Sequence, residues 1–351
     1  MKKIILCSAI TCEGKNFGDW LMLNLLEEKI YSIIPDACIL YTGGTNYGRF
    51  FVRSYFTADA FIFTPGGYLG YIEKWYSGSI RKTIQRMICY YLPGIIFSIK
   101  RRPMALFGQG IGPYEYPLLS KMLKYLANCS DLITVRDQVS YDLLRNIGVI
   151  RDIHITADCS QVLNDYDLIW ETKESSEIKE KLKDKTKIYI CYCDNTEWKQ
   201  KIVQALSNLM KHDDYGFVLG ADNQYNREEL HIFSKLFPKE RTVIFDYRDH
   251  RQLLSIYNEI DAVLTCKLHT GIVGCTMSKS VIAFALQYEK TKLYYEKIGY
   301  SERVTDLFTT TAMEMKDKIE KYINQPIQLS DDILKKAHNN FELLEDFLKR
   351  I

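Results

Sequence analysis

Two lysines and a histidine follow apolar segments in the last third of the chain, and side chains of these types can bind an anion and transfer a proton. Lys267 and His269 come directly after the run DAVLTC, and Lys290 follows a second apolar run at residues 280–286. Two parallel strands joined by a helix would bring both strand ends to one edge of a sheet. The pattern therefore predicts a positively charged site with a titratable imidazole at that edge.

His269 stands out among the six histidines of the chain. A single histidine in a folded protein is usually structural, but this one follows a predicted strand and has a lysine two residues before it. If the strand extends to residue 269, the side chains of Lys267 and His269 share one side, because strand residues alternate between the two faces. Thr270 and Gly271 would then open a helix rich in small residues. We therefore predict a functional role for His269.

Three loops in the first half of the chain combine glycines with the end of a predicted strand. They contain Asn16, Gly18 and Asp19, then Gly66 and Gly67, and then Gln109 and Gly110. Glycines there let backbone N–H groups approach a ligand, and the start of a helix favours an anion. None of the loops matches the dinucleotide-binding fingerprint or a P-loop. Tight turns explain each loop equally well, but three loops of one domain should line the same rim.

Arg136 and Asp158 also follow short apolar runs that read as buried strands. The planar guanidinium group of an arginine suits a carboxylate or a phosphate. A structural ion pair with Asp137 or another carboxylate is the alternative role for Arg136. Asp158 is equally suited to capping the next helix and to accepting a hydrogen bond from a sugar hydroxyl. Both interpretations stay open for each residue.

The alternation of strands and helices occurs twice, which indicates two domains. The chain has 351 residues, 47% of them hydrophobic and 26% charged, as expected of a folded protein with more than one core. A polar, highly charged segment separates the two patterns. We predict a doubly wound, Rossmann-like α/β domain at residues 1–165, a linker at 166–186, a second such domain at 187–328 and a C-terminal helix at 329–351. The two domains would face a cleft that holds the site.

The charge balance and the cysteines indicate neither a nucleic-acid partner nor a metal. The net charge is +2, from 46 basic and 44 acidic residues, so an anionic ligand would depend on local positive charge. The ten cysteines show no zinc-ligand spacing. They are interpreted as small buried residues, which favours a reducing compartment. The first residues read as a buried strand and not as a secretion signal, so we predict a cytoplasmic protein.

One apolar segment, at residues 87–99, has three basic residues on either side. They are Arg81, Lys82 and Arg86 before it and Lys100, Arg101 and Arg102 after it. The segment is too short to span a bilayer, and Pro93 with Gly94 is expected to break it. Burial as a helix pair is one interpretation. The other is docking at the inner face of an anionic membrane.

Several of these segments together resemble the polysaccharide pyruvyl transferase family. The resemblance rests on NFGD (residues 16–19), GQGIGP (108–113), ITVRDQVSYDLLRNIGV (133–149), TADCS (156–160), KLHTG (267–271) and QYEK with the later IG (287–290 and 298–299). These segments occur in the family's order over most of the chain. The family pattern has an arginine where this chain has Lys267, and a glycine triplet where it has Pro65, Gly66 and Gly67.

The resemblance implies a GT-B-like fold and transfer of the enolpyruvyl group of phosphoenolpyruvate to a hexose. The product would be a pyruvate ketal in a surface polysaccharide or its precursor. Arg136 and His269 would be the donor-binding and catalytic residues, and no metal or other cofactor is expected. We predict that the following residues bind substrate: Lys267, Lys290, Asn16, Gly18, Asp19, Gly66, Gly67, Gln109, Gly110, Asp158, Leu268 and Thr270.

Two other functions stay open. A glycosyltransferase that uses a nucleotide sugar would share the predicted fold, and so would a non-catalytic scaffold that binds a sugar or a lipid. The presence of Arg136 and His269 argues against the scaffold. The sugar acceptor can be lipid-linked, nucleotide-linked or a polymer. A lipid-linked acceptor would explain peripheral membrane contact through residues 87–99.

Overall fold

A computed structural model describes two compact units. It covers residues 1–8, 16–43, 52–69, 84–85, 87–112, 117–165, 171–223 and 227–351. The first unit comprises Met1–Lys15, Asp19–Cys159 and Leu334–Ile351, and the second comprises Asn16–Gly18 and Ser160–Ile333. The domain boundaries at 165, 186 and 328 stay a prediction. Parts of three predicted features lie outside the described residues: Pro113, residues 166–170 of the linker, and Arg81, Lys82 and Arg86.

The first unit is built on a six-stranded parallel sheet in the order β2-β1-β3-β4-β5-β6. Its strands are β1 (Lys3–Cys7), β2 (Cys38–Thr42), β3 (Ala60–Phe63), β4 (Met104–Gln109), β5 (Leu132–Val135) and β6 (His154–Ile155). In the middle of the sheet, Ile4 pairs with Ile39 on one side and with Ala60 on the other. Parallel strands covered on both faces are continuous apolar runs, and LITV of β5 is fully buried in this way.

Helices in the first half of the chain connect these strands. They are α1 (Phe17–Ile33), α2 (Val52–Thr57), α3 (Leu92–Ser98, after a π-helical turn at Met87–Tyr91), α4 (Pro117–Cys129) and α5 (Gln138–Asn146). The apolar side of α4 carries Leu119, Leu123 and Leu126 into the core at helical spacing. α5 begins after Asp137, whose carboxylate accepts a hydrogen bond from the Ser140 N–H at 2.7 Å.

The second unit has its own six-stranded parallel sheet, in the order β12-β11-β10-β7-β8-β9. Its strands are β7 (Thr186–Tyr192), β8 (Tyr215–Ala221), β9 (Thr242–Ile244), β10 (Ala262–Thr265), β11 (Ser280–Ala285) and β12 (Val304–Asp306). The remaining helices are α6 (Lys173–Lys181), α7 (Thr196–Leu206), α8 (Arg227–Ser234), α9 (His250–Glu259), α10 (Leu268–Thr276), α11 (Tyr288–Lys297), α12 (Ala312–Tyr322) and α13 (Asp331–Leu348). Val263 of β10 pairs with Tyr189 and with Val281, so β10 lies in the centre of the sheet.

The C-terminal helix α13 belongs to the first unit. Its apolar residues Ala337 and Leu344 are fully buried. The ring of Phe341 lies edge-on to Phe107, with the centroids 5.5 Å apart, and the Asn340 side chain donates to Sγ of Cys159 at 3.1 Å. The predicted fold class, with two doubly wound α/β units and a C-terminal helix, is confirmed.

The apolar segment at residues 87–98 is helical throughout, and the predicted break at Pro93 and Gly94 is wrong. The π-helical turn passes into α3 just before Pro93, which is close to the start of the α-helical part. Proline is tolerated there because its missing N–H and fixed φ angle suit the first turn of a helix. In the part of the chain that the structure covers, no helix has the length and apolar character needed to cross a membrane.

Candidate functional site

The second sheet has the strand order of a Rossmann domain, and the order changes direction between β7 and β10. From β7 the chain continues to β8 and β9 on one side, and from β10 it continues to β11 and β12 on the other. Ligands of such sheets bind outside the carboxyl ends of the strands at this switch point. Cys193 follows β7, and Lys267 and His269 follow β10. Lys267 and His269, which the sequence analysis singled out, therefore lie at the expected edge of the sheet.

Lys267 lies at the start of α10 and not on the strand. β10 ends at Thr265, and the Thr265 hydroxyl accepts a hydrogen bond from the Lys267 N–H at 2.9 Å. Lys267 has extended backbone angles and is the N-cap residue of α10, which begins at Leu268. The strand thus does not extend to residue 269, and the expected start of the helix at Thr270 is two residues late. His269 projects from the first turn of the helix.

His269 packs against the backbone of Gly18. The Asn16 side chain accepts a hydrogen bond from the Gly18 N–H at 3.1 Å, where α1 begins. A methyl group on Gly18 would lie 2.1 Å from Cγ and 2.3 Å from Nδ1 of the imidazole. These distances are far shorter than van der Waals contact. Only a residue without a side chain fits beside the ring, and Gly18 thereby helps to fix the position of His269.

Replacing Gly18 with alanine should therefore displace the imidazole. We expect turnover to fall by about 100-fold, since a displacement of about 1 Å at a reacting group has an effect of this size. The stability of helix α1 should not decrease, because alanine favours a helix over glycine by about 1 kcal/mol. The measurement is turnover together with the midpoint of thermal unfolding.

Gly216→Ala is the matched control for the Gly18 variant. Gly216 lies near the start of β8, far along the strand from the carboxyl edge. A methyl group there would meet the Leu182 side chain at 2.9 Å. We expect this variant to lose stability and keep its turnover. A Gly18→Ala protein that works as well as the unchanged protein would show that the ring position is not set by this contact.

Asp222 is a buried carboxylate that sequence analysis missed. It follows β8, is only 2% exposed, and its Oδ2 accepts a hydrogen bond from the Thr270 hydroxyl at 3.2 Å. Its backbone carbonyl accepts the Phe17 N–H at 2.9 Å. Its Oδ1 is buried and has no hydrogen-bond partner among the residues that the structure describes. Asp222 thus ties the segment containing Gly18 to the helical turn containing His269.

Tyr257 also holds the first turn of α10 in place. The Tyr257 hydroxyl donates to the Thr270 carbonyl at 2.6 Å, and the Tyr257 ring stacks on Phe17 with the centroids 6.2 Å apart. Burial raises the pKa of Tyr257, and the thiol of Cys191 and the carboxylate of Asp222 raise it further. The hydroxyl therefore stays protonated and remains a donor. Thr270 is fully buried in this network, so its side chain supports the turn.

Two thiols lie beside Lys267 at the switch point. A hydrogen bond from Cys266 lowers the pKa of Cys193, burial opposes this, and the positive charge of Lys267 lowers the pKa further. Burial keeps the pKa of Cys266 well above its usual value. Both residues are nearly inaccessible, at 5% and 3% exposure. The pKa of Cys193 is therefore lowered chiefly by Cys266, and the positive charge of Lys267 adds to the effect.

Lys290 adds a second cation at the same edge of the sheet. β10 and β11 are parallel neighbours, so α10 and α11 both begin at this edge. Lys290 is half-buried in the first turn of α11, with the exposed Glu289 beside it. The start of a helix carries a partial positive charge and disfavours a cation. Lysines at both helix starts therefore raise the positive potential of the edge and favour an anion there.

In the first unit, the loops after β3 and β4 are joined. The strand order changes direction between β1 and β3, so Gly66 and Gly67 follow β3 at the switch point of this sheet. Gly66 forms an isolated parallel bridge with Gln109, and its carbonyl accepts the Gly110 N–H at 2.8 Å. The Gln109 side chain donates to the Thr64 carbonyl at 2.5 Å. The glycine loops are thus held side by side at the carboxyl edge.

Arg136 lies next to these loops and forms an ion pair. Its Nη1 is 3.3 Å from Oδ2 of Asp158, which is 3% exposed, and its Nε is 3.7 Å from Asp137. A methyl group on Gly110 would lie 2.6 Å from Nε of Arg136, so the Gly110 backbone lies against the guanidinium. The structural ion pair considered for Arg136 is present, with Asp158 as the closer partner. Its role toward a substrate stays a prediction.

The predicted site residues are divided between the two units. Asn16, Gly18, Lys267, Leu268, His269, Thr270 and Lys290 belong to the second, and Asp19, Gly66, Gly67, Gln109, Gly110, Arg136 and Asp158 belong to the first. Within the second unit, the structure brings Asn16 and Gly18 to His269, although the sequence places them far apart. The substrate contacts of both sets remain predictions.

Comparison with family models finds one that covers most of the chain. The model is described as polysaccharide pyruvyl transferase and matches residues 16–288. The matched region begins at Asn16 and includes both Arg136 and the segment from Lys267 to Thr270. No curated protein sequence matches the chain.

Solved structures with the same fold include enzymes named for UDP-sugars. MnaA from S. aureus, in a co-structure with UDP, aligns with 100% of this chain and 98% of its own at 11% identity and a TM-score of 0.67. The UDP-GlcNAc 2-epimerase of Methanocaldococcus jannaschii, with UDP-GlcNAc and UDP, covers 98% and 99% at 12% identity and a TM-score of 0.61. MurG from Acinetobacter baumannii covers 100% of both chains at 11% identity and a TM-score of 0.55. At these identities the likeness shows the GT-B-like fold alone.

Proposed function

Because the chain belongs to the polysaccharide pyruvyl transferase family, we propose that it transfers the enolpyruvyl group of phosphoenolpyruvate to a hexose and forms a pyruvate ketal. The observation that carries this proposal is the start of α10. There Lys267 is the N-cap residue, and His269, in the first turn of the helix, is held by Gly18. A cation and an imidazole are fixed within one helical turn, at the switch point of the sheet.

The charge of the donor fits this edge. Phosphoenolpyruvate carries a carboxylate and a phosphate, and we assign their binding at this edge to Lys267 and Lys290; donor binding by Arg136 of the first unit is a separate prediction. Charge-assisted hydrogen bonds of this kind contribute about 1.5–3 kcal/mol each. Lys267 stands where the family has an arginine, so it supplies the charge without the two-pronged geometry. The backbone N–H groups that open α10 and α11 would complete the anion site.

We propose that His269 donates the proton that the enol carbon receives. One sugar hydroxyl attacks C2 of the enolpyruvyl group and loses its proton to solvent, while the imidazolium protonates C3, which becomes the methyl group. Phosphate then leaves from C2, taking the electrons of the C–O bond. The second hydroxyl adds to C2 and loses its proton, which closes the ketal. The overall change converts phosphoenolpyruvate and a diol into a ketal and inorganic phosphate, and this scheme uses no metal or redox cofactor.

Asp222 acts in this proposal as a positioning residue. Its carboxylate and its carbonyl hold Thr270 and Phe17, and these neighbours carry His269 and Gly18. At 2% exposure Asp222 does not reach a substrate. Its effect on the reaction would come through the position of the imidazole.

Transfer from a nucleotide sugar is the rival activity, because the similar structures include enzymes named for UDP-GlcNAc. The two activities can be separated by incubating the protein with phosphoenolpyruvate and hexose acceptors in free, nucleotide-linked, lipid-linked and polymeric form. We expect one of the four forms of acceptor to gain the mass of pyruvate less one water, while phosphate is released. We also expect phosphoenolpyruvate to raise the midpoint of thermal unfolding. Protection by UDP-GlcNAc but not by phosphoenolpyruvate would favour the glycosyltransferase.

We propose a lipid-linked sugar as the acceptor, because the apolar segment at residues 87–99 with its basic flanks would bring the protein to a substrate held in a membrane. The mass-gain experiment tests this directly, since it includes lipid-linked acceptors beside the other three forms. A gain confined to nucleotide-linked or polymeric sugars would contradict it and leave the donor chemistry untouched.

A further inference from the structure

The chain has an unusually basic stretch in its first unit. Between Glu73 and Glu115 there is no acidic residue, although the chain has 44 in total. The same stretch has seven basic residues, which are Lys74, Arg81, Lys82, Arg86, Lys100, Arg101 and Arg102. The next acidic residue after Glu115 is Asp131. Such a local excess of one sign attracts an anionic partner whatever the net charge of the protein.

The helical segment within this stretch exposes a stripe of aliphatic side chains. Ile84, Ile88, Leu92 and Ile99 are 49%, 53%, 43% and 63% exposed. Ile88, Leu92 and Ile99 follow each other at intervals of four and seven residues, so they share one side of the segment that begins at Met87. Large aliphatic side chains exposed at this spacing make an apolar surface of a kind that soluble proteins seldom leave uncovered.

The opposite side of the same segment is fixed in the core. Tyr91 and Phe97 are almost completely buried, and Phe97 packs on Phe61 with the ring centroids 5.4 Å apart. A methyl group on Gly94 would lie 2.6 Å from the ring of Phe63, so the helix backbone lies directly on the sheet. The aliphatic stripe is therefore presented on a rigid support, and its exposure does not come from a loosely packed element.

Basic side chains lie at the end of this stripe. Lys100 and Arg101 are exposed, and the ammonium group of Lys100 lies 5.6 Å from the ring centroid of Phe56. Arg101 has a left-handed backbone, with φ at 51°, which is unfavourable for a residue with a side chain. The chain has an arginine here where glycine or asparagine would relieve the strain. This places a cation next to Ile99.

The neighbouring helix α4 also exposes large apolar side chains together with lysines. Leu118 and Tyr125 are 53% and 46% exposed, and Lys121 and Lys124 are exposed between them. The Tyr125 hydroxyl lies 3.1 Å from the Ser98 hydroxyl at the end of α3, so the two helices are in contact there. The surface thus extends across both helices with aliphatic, aromatic and basic side chains.

We propose that this surface docks the protein on an anionic lipid bilayer. We call it the docking surface and define it by Ile88, Leu92, Ile99, Arg101 and Tyr125. Aliphatic side chains can enter the boundary between headgroups and acyl chains, while lysines and arginines contact anionic headgroups. Interfaces between proteins are depleted of lysine, whereas Lys100, Lys121 and Lys124 are all exposed here. The inference does not depend on which group the enzyme transfers.

The test is cosedimentation of the full chain with vesicles of phosphatidylcholine alone and of phosphatidylcholine with phosphatidylglycerol. We expect binding to the anionic vesicles that is at least tenfold tighter than to the neutral ones and that weakens as salt is added. Ile88→Gln with Leu92→Gln should reduce binding at least tenfold at all salt concentrations. Arg101→Glu should reduce it mainly at low salt. All these side chains are exposed, so the thermal midpoint should not change.

Matched control variants are available on another exposed surface. Ile232 and Leu236 in the second unit are 62% and 56% exposed, with the exposed Lys235 between them. Ile232→Gln with Leu236→Gln, and Lys235→Glu, should bind vesicles like the unchanged protein. The proposal would be overturned if the unchanged protein did not bind anionic vesicles at low salt. It would also be overturned if the control variants lost as much vesicle binding as the docking-surface variants. If the Ile88 and Leu92 variant changed only the oligomeric state, the occupant would be a second copy of the chain.

Discussion

Replacing His269 with alanine is expected to lower phosphate release from phosphoenolpyruvate, with the acceptor present, by a factor of about 10²–10⁴. This is the contribution of a well-placed general acid, and the proposed scheme has no second group that could protonate C3. In heavy water, the unchanged protein should place one deuterium in the ketal methyl group. The variant should do so at the same reduced rate as phosphate release. Phosphate assay and mass spectrometry of the product measure the two effects.

The control for this variant is His154→Ala. His154 is exposed at the start of β6, the amino end of its strand, and it should change neither rate. The thermal midpoint of both variants must be compared with that of the unchanged protein, because loss of folding would mimic loss of the acid. Near-normal turnover by a folded His269→Ala protein would show that another group protonates the donor.

Removal of Arg136 is expected to affect both stability and donor binding. Arg136→Ala removes the guanidinium that lies 3.3 Å from the buried Asp158 carboxylate, and breaking a buried pair in this way costs about 3–5 kcal/mol of folding free energy. Asp158 is 3% exposed and the Arg136 side chain 11% exposed, so solvent does little to screen the loss. If Arg136 also holds the donor, the KM for phosphoenolpyruvate should rise by about 10–100-fold, the equivalent of one charge-assisted hydrogen bond.

A double variant separates these two effects. Arg136→Met with Asp158→Asn removes both charges, so most of the lost stability should return. Donor binding should not return, because the guanidinium is still missing. Asp158→Asn alone keeps the arginine and should bind phosphoenolpyruvate nearly normally. A double variant with normal KM would mean that Arg136 serves only the ion pair. Differential calorimetry and steady-state kinetics provide the two readouts.

Local features of the fold could be predicted well from the sequence. The buried strand expected before Arg136 is β5 at Leu132–Val135, because three apolar residues and the β-branched Thr134 lie between the charged Asp131 and Arg136. The alternation of such runs with amphipathic helices also predicted two doubly wound units. β12 (Val304–Asp306) was not predicted, since three residues at the edge of a sheet have no detectable period.

Contacts between distant residues of the site could not be predicted. The NFGD motif suggested an anion-binding loop, but nothing local shows that Gly18 lies against His269. Asp222 was missed because GAD after a strand reads as an ordinary turn. The structure alone shows that its carboxylate is buried and bonded to Thr270. The turn at Lys267 depends on hydrogen bonds between its backbone and the Thr265 hydroxyl, and hydrophobic periodicity carries no information about them.

Each compact unit is completed by a segment from the far end of the chain. Asn16–Gly18 joins the second unit, and Leu334–Ile351 joins the first. During translation, Phe17 has to wait for Tyr257, and Cys159 has to wait for Asn340. The first unit cannot finish folding before Asn340 has been synthesised, and the second cannot do so before Tyr257 has been synthesised, because early segments need these later partners. Gly18 likewise has to wait for His269, so the imidazole acquires its mature environment only when a segment made early in synthesis meets one made much later.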